Sequence, residues 1–277
     1  MSIMDENRRG YHLKAPGGSS GAPRHLPGRG PFPRVDDRLV EAEITRDEMI
    51  GGRRIVALPA NPPHATQHTR LDYVLQAQVA TGYIAASDLL TRHDQESDFA
   101  SDTCIYKEGA DPATGARYLE EIAFEVVSEQ NQRWVSEKAK RMHRRGVRRI
   151  FTVWVKTQKV CEWSAETETW SPLDAQITDP CLVVPLDVAA LLDAAVANTA
   201  VVEALASKGD PSIRRLETRA EAKGKAEAIL KVLESRGILM SPAQRQEILD
   251  CRDLDRLDRW LSRAALVSSA GELTSAA

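Results

Sequence analysis

The pattern of apolar and polar residues in the middle of the chain predicts a domain of mixed strands and helices. Short β-rich runs bounded by turn residues predict strands at 53–58, 102–106, 121–127, 149–155 and 159–163, the last two forming a hairpin. Apolar residues at helical spacing predict helices over 66–80 and 131–145. Strands that alternate with helices are typical of an α/β domain, so we expect a mixed sheet flanked by helices between residues 36 and 185.

From Pro185 onward the pattern is helical only. Helical spacing and the start signals Asp210-Pro211 and Ser241-Pro242 predict helices over 187–207 and 211–236, from 242, and from about 253. The apolar stripes of these helices need a partner surface, which is either the α/β domain or a second copy of the chain. We therefore expect an α-helical C-terminal region over 186–277, with a homodimer through its helices as one of the two solutions.

Residues 1–35 are rich in Gly and Pro and poor in aliphatic side chains, so they bury too little apolar surface to fold. We expect a disordered N-terminal tail there. The whole chain of 277 residues has 37 basic and 40 acidic side chains and a formal net charge of −3. This balance excludes binding of nucleic acid over the whole surface and leaves only local patches for it.

Several other classes of protein are excluded by the sequence. The four cysteines form no CxxC pair, which argues against a structural zinc site and a disulfide framework. The most apolar stretch, 181–206, is interrupted by charged residues and is not expected to cross a bilayer. The first 25 residues contain no apolar segment typical of a secretory signal, so we expect a cytoplasmic protein without a membrane partner.

Two carboxylates stand out in the predicted strands. Glu125 is the one charged residue of the run 122–127, and a carboxylate in a buried strand is costly unless it is paired, hydrogen-bonded or bound to a metal. If Tyr106 faces Glu121 across a hairpin, Asp102 faces Glu125 with Cβ atoms about 5 Å apart. A divalent cation would remove their repulsion. A salt-bridged or edge-exposed Glu125 is the alternative.

The predicted helix 131–145 carries the basic candidates. Lys138 lies at the edge of its apolar stripe, where a lysine either extends past apolar neighbours or reaches a buried anion. From 133 to 149 there are eight Arg or Lys residues and one acid. The helical wheel points four of them outward: Arg133, Lys140, Arg144 and Arg148. We expect these four to bind nucleic-acid phosphates, with a solvated helix face as the alternative.

Two histidines are a weaker candidate site. His64 and His68 are spaced i, i+4, which places two imidazoles on one face of a helix as metal ligands. The sequence supplies no evident third ligand, and Pro62-Pro63 favours a turn at His64.

The order and spacing of the strongest candidates resemble a known family. Asp102, Glu125 in the string FEVVS and Lys138 in the string KAKRMHRRGV resemble the Uma-two-type restriction endonucleases of the PD-(D/E)xK nuclease superfamily. The string EMIGGRRIVALPANPPHATQH is similar to that family's N-terminal E-x-x-x-G … P … H segment. The similarity covers about residues 36–185. Three positions depart from the family pattern: Ser101 replaces a proline, Val127 a lysine and Met142 a tyrosine.

The resemblance implies a restriction-endonuclease-like core that cleaves DNA phosphodiesters with Mg²⁺, or with Mn²⁺ in its place. Asp102, Glu125 and Lys138 would be the catalytic residues. Asp102 and Glu125 would hold the ion, with Glu48 as an additional acidic ligand. One alternative is a catalytically inactive nuclease-fold module that binds nucleic acid or protein. Another is an oligomeric scaffold built on the C-terminal helices.

Overall fold

A computed structural model describes residues 47–56, 61–128 and 130–274. The predicted tail 1–35 lies outside the described residues. The chain is a mixed α/β protein with an eight-stranded sheet, helices on both faces of the sheet and a helical C-terminal region. This confirms the predicted fold class and is consistent with a restriction-endonuclease-like architecture.

The predicted helices and strands occur in the expected order, and the structure contains further strands that the sequence did not predict. The strands are β1 Asp47–Ile50, β2 Arg53–Val56, β3 Tyr83–Asp94, β4 Ser97–Lys107, β5 Glu120–Val127, β6 Arg149–Trp154, β7 Lys159–Ser164, β8 Thr169–Leu173, β9 Gln176–Ile177 and β10 Leu186–Asp187. The α-helices are α1 Pro62–Gln78, α2 Gln132–Arg145, α3 Ala194–Ser207, α4 Pro211–Ser235, α5 Pro242–Asp250, α6 Leu254–Ala264 and α7 Ala270–Thr274, with a 3-10 turn at Val188–Leu191.

The main sheet has the order β2-β1-β4-β5-β6-β7-β8, and β3 also pairs with β4. All neighbouring strands are antiparallel except β5 and β6, which are parallel. Helix α2 connects these two, because parallel neighbours need a crossover along one face of the sheet. The parallel pair therefore fixes α2 over β5, which carries Glu125.

Side chains of β5 alternate between two cores, as a strand buried on both faces requires. Ile122, Phe124 and Val126 pack with apolar residues of α1 and α3. Ala123 packs on the opposite face with Ala139 and Met142 of α2, among others. By this alternation, Glu125 projects toward α2.

The register of β4 against β5 has the predicted offset for three pairs and then shifts. Residues 103, 104 and 105 pair with 124, 123 and 122, whereas Tyr106 pairs with Glu120. The predicted partner of Tyr106, Glu121, was therefore wrong, because a bulge displaces every pair beyond it by one residue. The predicted register is correct at the other end of this ladder, whose last pair is Thr103 with Phe124, next to Asp102.

Local signals explain where the two site-bearing helices begin and end. Asn61 caps α1 through its side chain, which accepts a hydrogen bond from the His64 amide, and Pro62 occupies the first turn. Helix α2 ends at Gly146, whose φ of 119° suits glycine and which the sequence predicted as the end. Strand β3 was not predicted, because its polar segment Thr91–Asp94 hides the alternation of a strand.

The predicted helix 187–207 is divided into two elements. Asp193 caps α3 by accepting from the amides of Ala195 and Val196, which separates α3 from the 3-10 turn before it. Helix α3 packs against α1 in the core of the α/β part. Residues 188–207 thus complete the α/β core rather than joining the helices that follow.

Helices α4 to α7 share a second apolar core. Its large members are Ile229, Leu230, Leu233, Leu257 and Trp260. The apolar stripes that we expected to need the α/β domain or a second copy therefore pack mainly on one another. The homodimer predicted through these helices is not required by that burial. Among the described helices, none has both the length and the apolar composition to cross a bilayer.

Arg148 takes part in an internal ion pair. Its guanidinium donates to both carboxylate oxygens of Asp179, at 2.7 and 2.8 Å, and to Glu121 at 3.0 Å. Asp179 also accepts from the Cys181 amide at 3.1 Å and from Arg149 at 3.4 Å. Burial opposes ionisation of Asp179, but these donors together hold its pKa below the ordinary value. Arg148 therefore anchors the 177–186 segment to the sheet.

We expect Asp179→Asn to lower the free energy of unfolding by about 2 kcal/mol at neutral pH, since it removes a charge bonded to two arginines, one of them partly solvated. A carboxyl whose native pKa is depressed stabilises the fold above its unfolded pKa, near 3.8. That contribution is lost as the pH falls through the native value. The difference between wild type and variant should therefore shrink below about pH 4. Urea unfolding across acidic pH measures it.

Asp174→Asn is the control, because Asp174 is exposed and lies just before this segment in the chain. A loss of stability as small as that of this control would show that the Arg148–Asp179 pair does not anchor the segment.

Candidate active site

Four ionisable side chains from four elements form a cluster at one place on the sheet. Glu48 comes from β1, Asp102 from β4, Glu125 from β5 and Lys138 from α2. Strand β1 pairs with β4 at Met49 and Asp98, which brings Glu48 to the β4 backbone. There its Oε1 accepts from the Ala100 amide at 3.3 Å.

Lys138 is the centre of the cluster. Its Nζ donates to Glu125 Oε2 at 2.8 Å, to the carbonyl oxygen of Ala100 at 2.8 Å and to Glu48 Oε1 at 3.3 Å. The side chain is 10% exposed and lies over the ring of Phe99, with Nζ 5.1 Å from its centroid. Lys138 thus reaches a buried anion, one of the two outcomes that its position in the helix predicts.

The pKa of Lys138 is set by its carboxylate neighbours. Burial alone would lower the pKa of Lys138, but Glu125, Glu48 and Asp102 together raise it above the usual value. The carboxylates therefore favour the charged ammonium form of Lys138.

Glu125 is the most buried carboxylate of the cluster. It is 6% exposed, and it stands opposite Thr152 in the parallel ladder of β5 and β6. Burial raises the pKa of Glu125 to about 8, with Lys138 opposing the shift and the charges of Asp102 and Glu48 adding to it. Its Oε2 is bonded to Lys138, while its Oε1 is buried with no hydrogen-bond partner in the described part of the chain.

Asp102 lies where β4 and β5 stop pairing. Its Oδ2 accepts from the backbone amide of Val126 at 2.6 Å, so a side chain takes the place of a ladder acceptor. Burial raises the pKa of Asp102, while the charge of Lys138 and the Val126 hydrogen bond act against the shift. The charge of Lys138 lowers the pKa of Asp102, and the charge of Asp102 raises the pKa of Glu125, so the ionisation of each group depends on the others.

The cluster has a charge imbalance that fits a divalent cation. When all groups are ionised, three carboxylates face one ammonium, which leaves a net charge of −2. Oxygen atoms of carboxylates are the ligands that Mg²⁺ prefers, and the free Oε1 of Glu125 is a buried acceptor that lacks a partner. In this arrangement Glu48, Asp102 and Glu125 do not bring one ligand atom each within 4.8 Å of one another, so binding one magnesium ion requires their side chains to move closer together.

The sequence named His64 and His68 as a weaker candidate site without a third ligand, and the structure places Asp102 beside them. His64 lies inside α1 rather than in a turn, so the turn that Pro62-Pro63 suggested was wrong. His68 Nε2 contacts the carbonyl oxygen of Asp102 at 2.6 Å, and His64 Nε2 lies 4.0 Å from Asp102 Oδ1. The i, i+4 spacing of the two residues was the available signal, together with the rule that proline begins helices.

The four predicted phosphate-binding residues are in unequal positions. Lys140 bonds Glu168 at 2.5 Å, and Arg148 is held by Asp179. Arg133 and Arg144 are exposed on α2, and neither forms an ion pair with a residue that the structure describes. Of the four, Arg133 and Arg144 are thus the two that present their charge to solvent without an acidic partner among the described residues. A helical wheel could not predict the partners of the other two, because Glu168 and Asp179 come from distant segments.

Comparisons with known proteins give little beyond this geometry. No protein-family model matches the sequence, and no curated protein is significantly similar to it. One solved structure that resembles the chain is a "putative nuclease belonging to DUF820" from Anabaena variabilis, with 14% identity and a TM-score of 0.44. The match covers 53% of this chain and 89% of that one. At this level of similarity we take nothing about activity from the neighbour.

The raised pKa of Glu125 predicts a stability that declines with pH. The native pKa of about 8 lies above the unfolded value of 4.5, so between these values the native state binds a proton that the unfolded state has lost. The stability that this proton contributes is complete below pH 4.5 and is lost as the pH rises through 8. The slope is at most about 1.4 kcal/mol per pH unit. Glu125→Gln should remove that slope.

Urea unfolding in EDTA, at several values from about pH 5 to about pH 8.5, checks this expectation. Asp174→Asn serves as the matched control and should keep the wild-type slope. If Glu125→Gln and the wild type lose stability in parallel over this range, the pKa of Glu125 is not raised.

Proposed function

We propose that this chain is a divalent-metal-dependent nuclease that hydrolyses phosphodiester bonds in DNA. Glu125, Asp102 and Glu48 would hold Mg²⁺, or Mn²⁺ in its place, and Lys138 would act beside them. When bound, such an ion polarises a phosphate and makes a nearby water molecule a better nucleophile. The cytoplasmic location predicted from the sequence suits a DNA substrate.

The observation that carries this proposal is that three carboxylates, Glu48, Asp102 and Glu125, lie around the one ammonium of Lys138, and that Glu125 Oε1 has no partner in the described part of the chain. When all three are ionised, as a bound cation would favour, they exceed the ammonium by two charges. Ionised carboxylates are rarely buried in excess over their cations, because desolvation is costly. A cluster that serves only the fold would need one carboxylate for one lysine. The surplus of two is the charge of one magnesium ion.

Lys138 supplies two functions from one position. Its ammonium donates hydrogen bonds to Glu125 and Glu48, so these carboxylates would stay oriented when no metal ion is bound. Its compact positive charge also stabilises negative charge that develops on a phosphate during hydrolysis. Because the bond to the Ala100 carbonyl fixes Nζ, this charge needs little reorganisation at the moment of reaction.

A second candidate function is a nuclease-fold module that binds nucleic acid or protein without cleaving it. The observation in its favour is that all three protons of the Lys138 ammonium already have acceptors. A closed network of this kind also occurs where ion pairs only stabilise a fold. Tight DNA binding that Mg²⁺ leaves unchanged, without cleavage of any substrate, would identify this module.

We expect the wild-type chain to nick supercoiled plasmid in Mg²⁺ or Mn²⁺ and not in EDTA. Asp102→Asn, Glu125→Gln and Lys138→Met should each lower the nicking rate by about 100-fold or more, because each removes a charge from the reacting centre. Agarose gels of initial rates measure this, with circular dichroism to verify folding. Asp174→Asn, which removes an exposed carboxylate far along the chain, is the control and should nick as the wild type does.

Nicking by Asp102→Asn at the wild-type rate would remove Asp102 from the active site. Failure of the folded wild type to cleave plasmid, single-stranded or duplex DNA in either metal would contradict the nuclease itself.

The exposed arginines of α2 give a separate expectation for DNA binding. Combined Arg133→Ala and Arg144→Ala should weaken binding and reduce the slope of log affinity against log salt by about 2, since each lost phosphate contact accounts for about one unit. Fluorescence anisotropy with a labelled duplex in Ca²⁺ measures binding at several salt concentrations.

The charge-matched control is combined Lys223→Ala and Lys231→Ala, which removes two positive charges from α4. An equal fall of the salt slope in this control would show that binding follows net charge rather than the α2 face.

A further inference from the structure

The first turns of α1 bring two imidazoles to the side of Asp102 that faces away from the Val126 amide. Asn61 and Pro62 begin the helix just before His64, so His64 and His68 are one turn apart on one face. Their rings are 6.0 Å apart in an edge-to-face arrangement. Both rings approach the same aspartate, His64 at its carboxylate and His68 at its backbone carbonyl.

The distances within this group suit a metal ion. One nitrogen or oxygen atom from each of His64, His68 and Asp102 lies within 4.8 Å of the other two. His64 Nε2 and Asp102 Oδ1 are 4.0 Å apart, too far for a hydrogen bond. Two ligands of one tetrahedral zinc ion at roughly 2.0–2.2 Å lie about 3.3–3.6 Å apart. The atoms of this group therefore need to approach one another by at most about 1.5 Å.

His64 has no other function in the described structure. It is 8% exposed, and the described residues offer its ring nitrogens no acceptor closer than Asp102. Unlike both ring nitrogens of His93, those of His64 are not buried without a partner, so they remain accessible to an incoming ion.

The orientation of the His68 ring is fixed by its neighbours. Its Nε2 lies 2.6 Å from the carbonyl oxygen of Asp102 and 3.6 Å from Asp72 Oδ1, and Asp72 is in turn fixed by Thr103 at 2.6 Å. Nε2 donates its proton to the carbonyl in this state. When Nε2 binds an ion, the proton is carried by Nδ1 instead, so the ring stays neutral and the charge is unchanged.

We propose that His64, His68 and Asp102 form a site for a divalent transition-metal ion of the zinc type, adjacent to the oxygen-lined cluster of Glu125 and Lys138. Imidazole nitrogen selects such ions, whereas Mg²⁺ prefers oxygen alone. The site shares Asp102 with the proposed catalytic cluster, but it does not require that the chain hydrolyse DNA. If both sites are filled, Asp102 lies between two cations.

The probe for this site is Co²⁺, whose visible absorption reports its ligands. The chelator-treated full-length chain should bind Co²⁺ and give proton resonances of imidazole N–H groups with large paramagnetic shifts, which disappear in D₂O. This measurement needs no variant. Co²⁺ binding without any such resonance would overturn the proposal, because it would mean that only oxygen atoms hold the ion.

His64→Gln and His68→Gln should each weaken Co²⁺ binding by about tenfold or more in isothermal titration, with the visible spectrum altered. His143→Gln, a change at an exposed histidine of α2, is the matched control and should bind as the wild type does. Thermal unfolding of the two site variants verifies that they are folded. Wild-type Co²⁺ affinity in folded His64→Gln would exclude the site.

Plasmid nicking in Mg²⁺ separates this proposal from the proposed function. If the wild type binds Co²⁺ through His64 but cleaves no DNA, the metal site stands and the nuclease does not. If His64→Gln binds Co²⁺ and nicks in Mg²⁺ as the wild type does, the nuclease stands and the histidine site does not.

Discussion

The ammonium of Lys138 is the interaction on which the arrangement of this face of the sheet depends. It binds Glu125 in the central strand, Glu48 in β1 and the backbone of β4 at once. Without it, three carboxylates would converge with no opposite charge within the cluster. The parallel pairing of β5 with β6 is what positions the lysine, because the crossover through α2 holds the helix over the strand that bears Glu125. Topology and electrostatics are therefore linked at one side chain.

The fold class and the convergence of Glu125 with Lys138 could be predicted from the sequence because each follows from local pattern. An isolated carboxylate in an apolar strand and a lysine at the edge of a buried stripe both indicate a partner, even when that partner is unknown. The register near Asp102 was also predictable, since Thr103 to Ile105 pair as the hairpin assumption requires. The bulge at Tyr106 was not, because nothing in the residues there distinguishes a bulge from regular pairing.

Other features depend on segments that are distant in the chain, and the sequence could not reveal them. Arg148 looks like an outward cation on a helical wheel, yet Asp179, far along the chain, accepts from both of its terminal nitrogens. Residues 188–207 read as part of the helical region, but Ala197 and Val201 pack on α1 in the sheet core. The turn predicted at His64 was wrong for another reason, since the prolines that suggested it lie in the first turn of α1. Long-range contacts determine the role of Arg148 and the packing of residues 188–207, whereas the helix cap determines the conformation at His64.

The aspartate at position 102 has a structural role besides the proposed catalytic one, and this affects how related sequences are interpreted. Its carboxylate closes the end of a β-ladder by accepting from Val126, so the backbone needs an acceptor there whether or not any reaction occurs. A lineage that abandoned catalysis would still be under selection to retain this side chain. Retention of the acid in a homologue is therefore weak support for activity, whereas loss of the surplus charge at Glu48 or Glu125 would be a more direct sign of a pseudoenzyme.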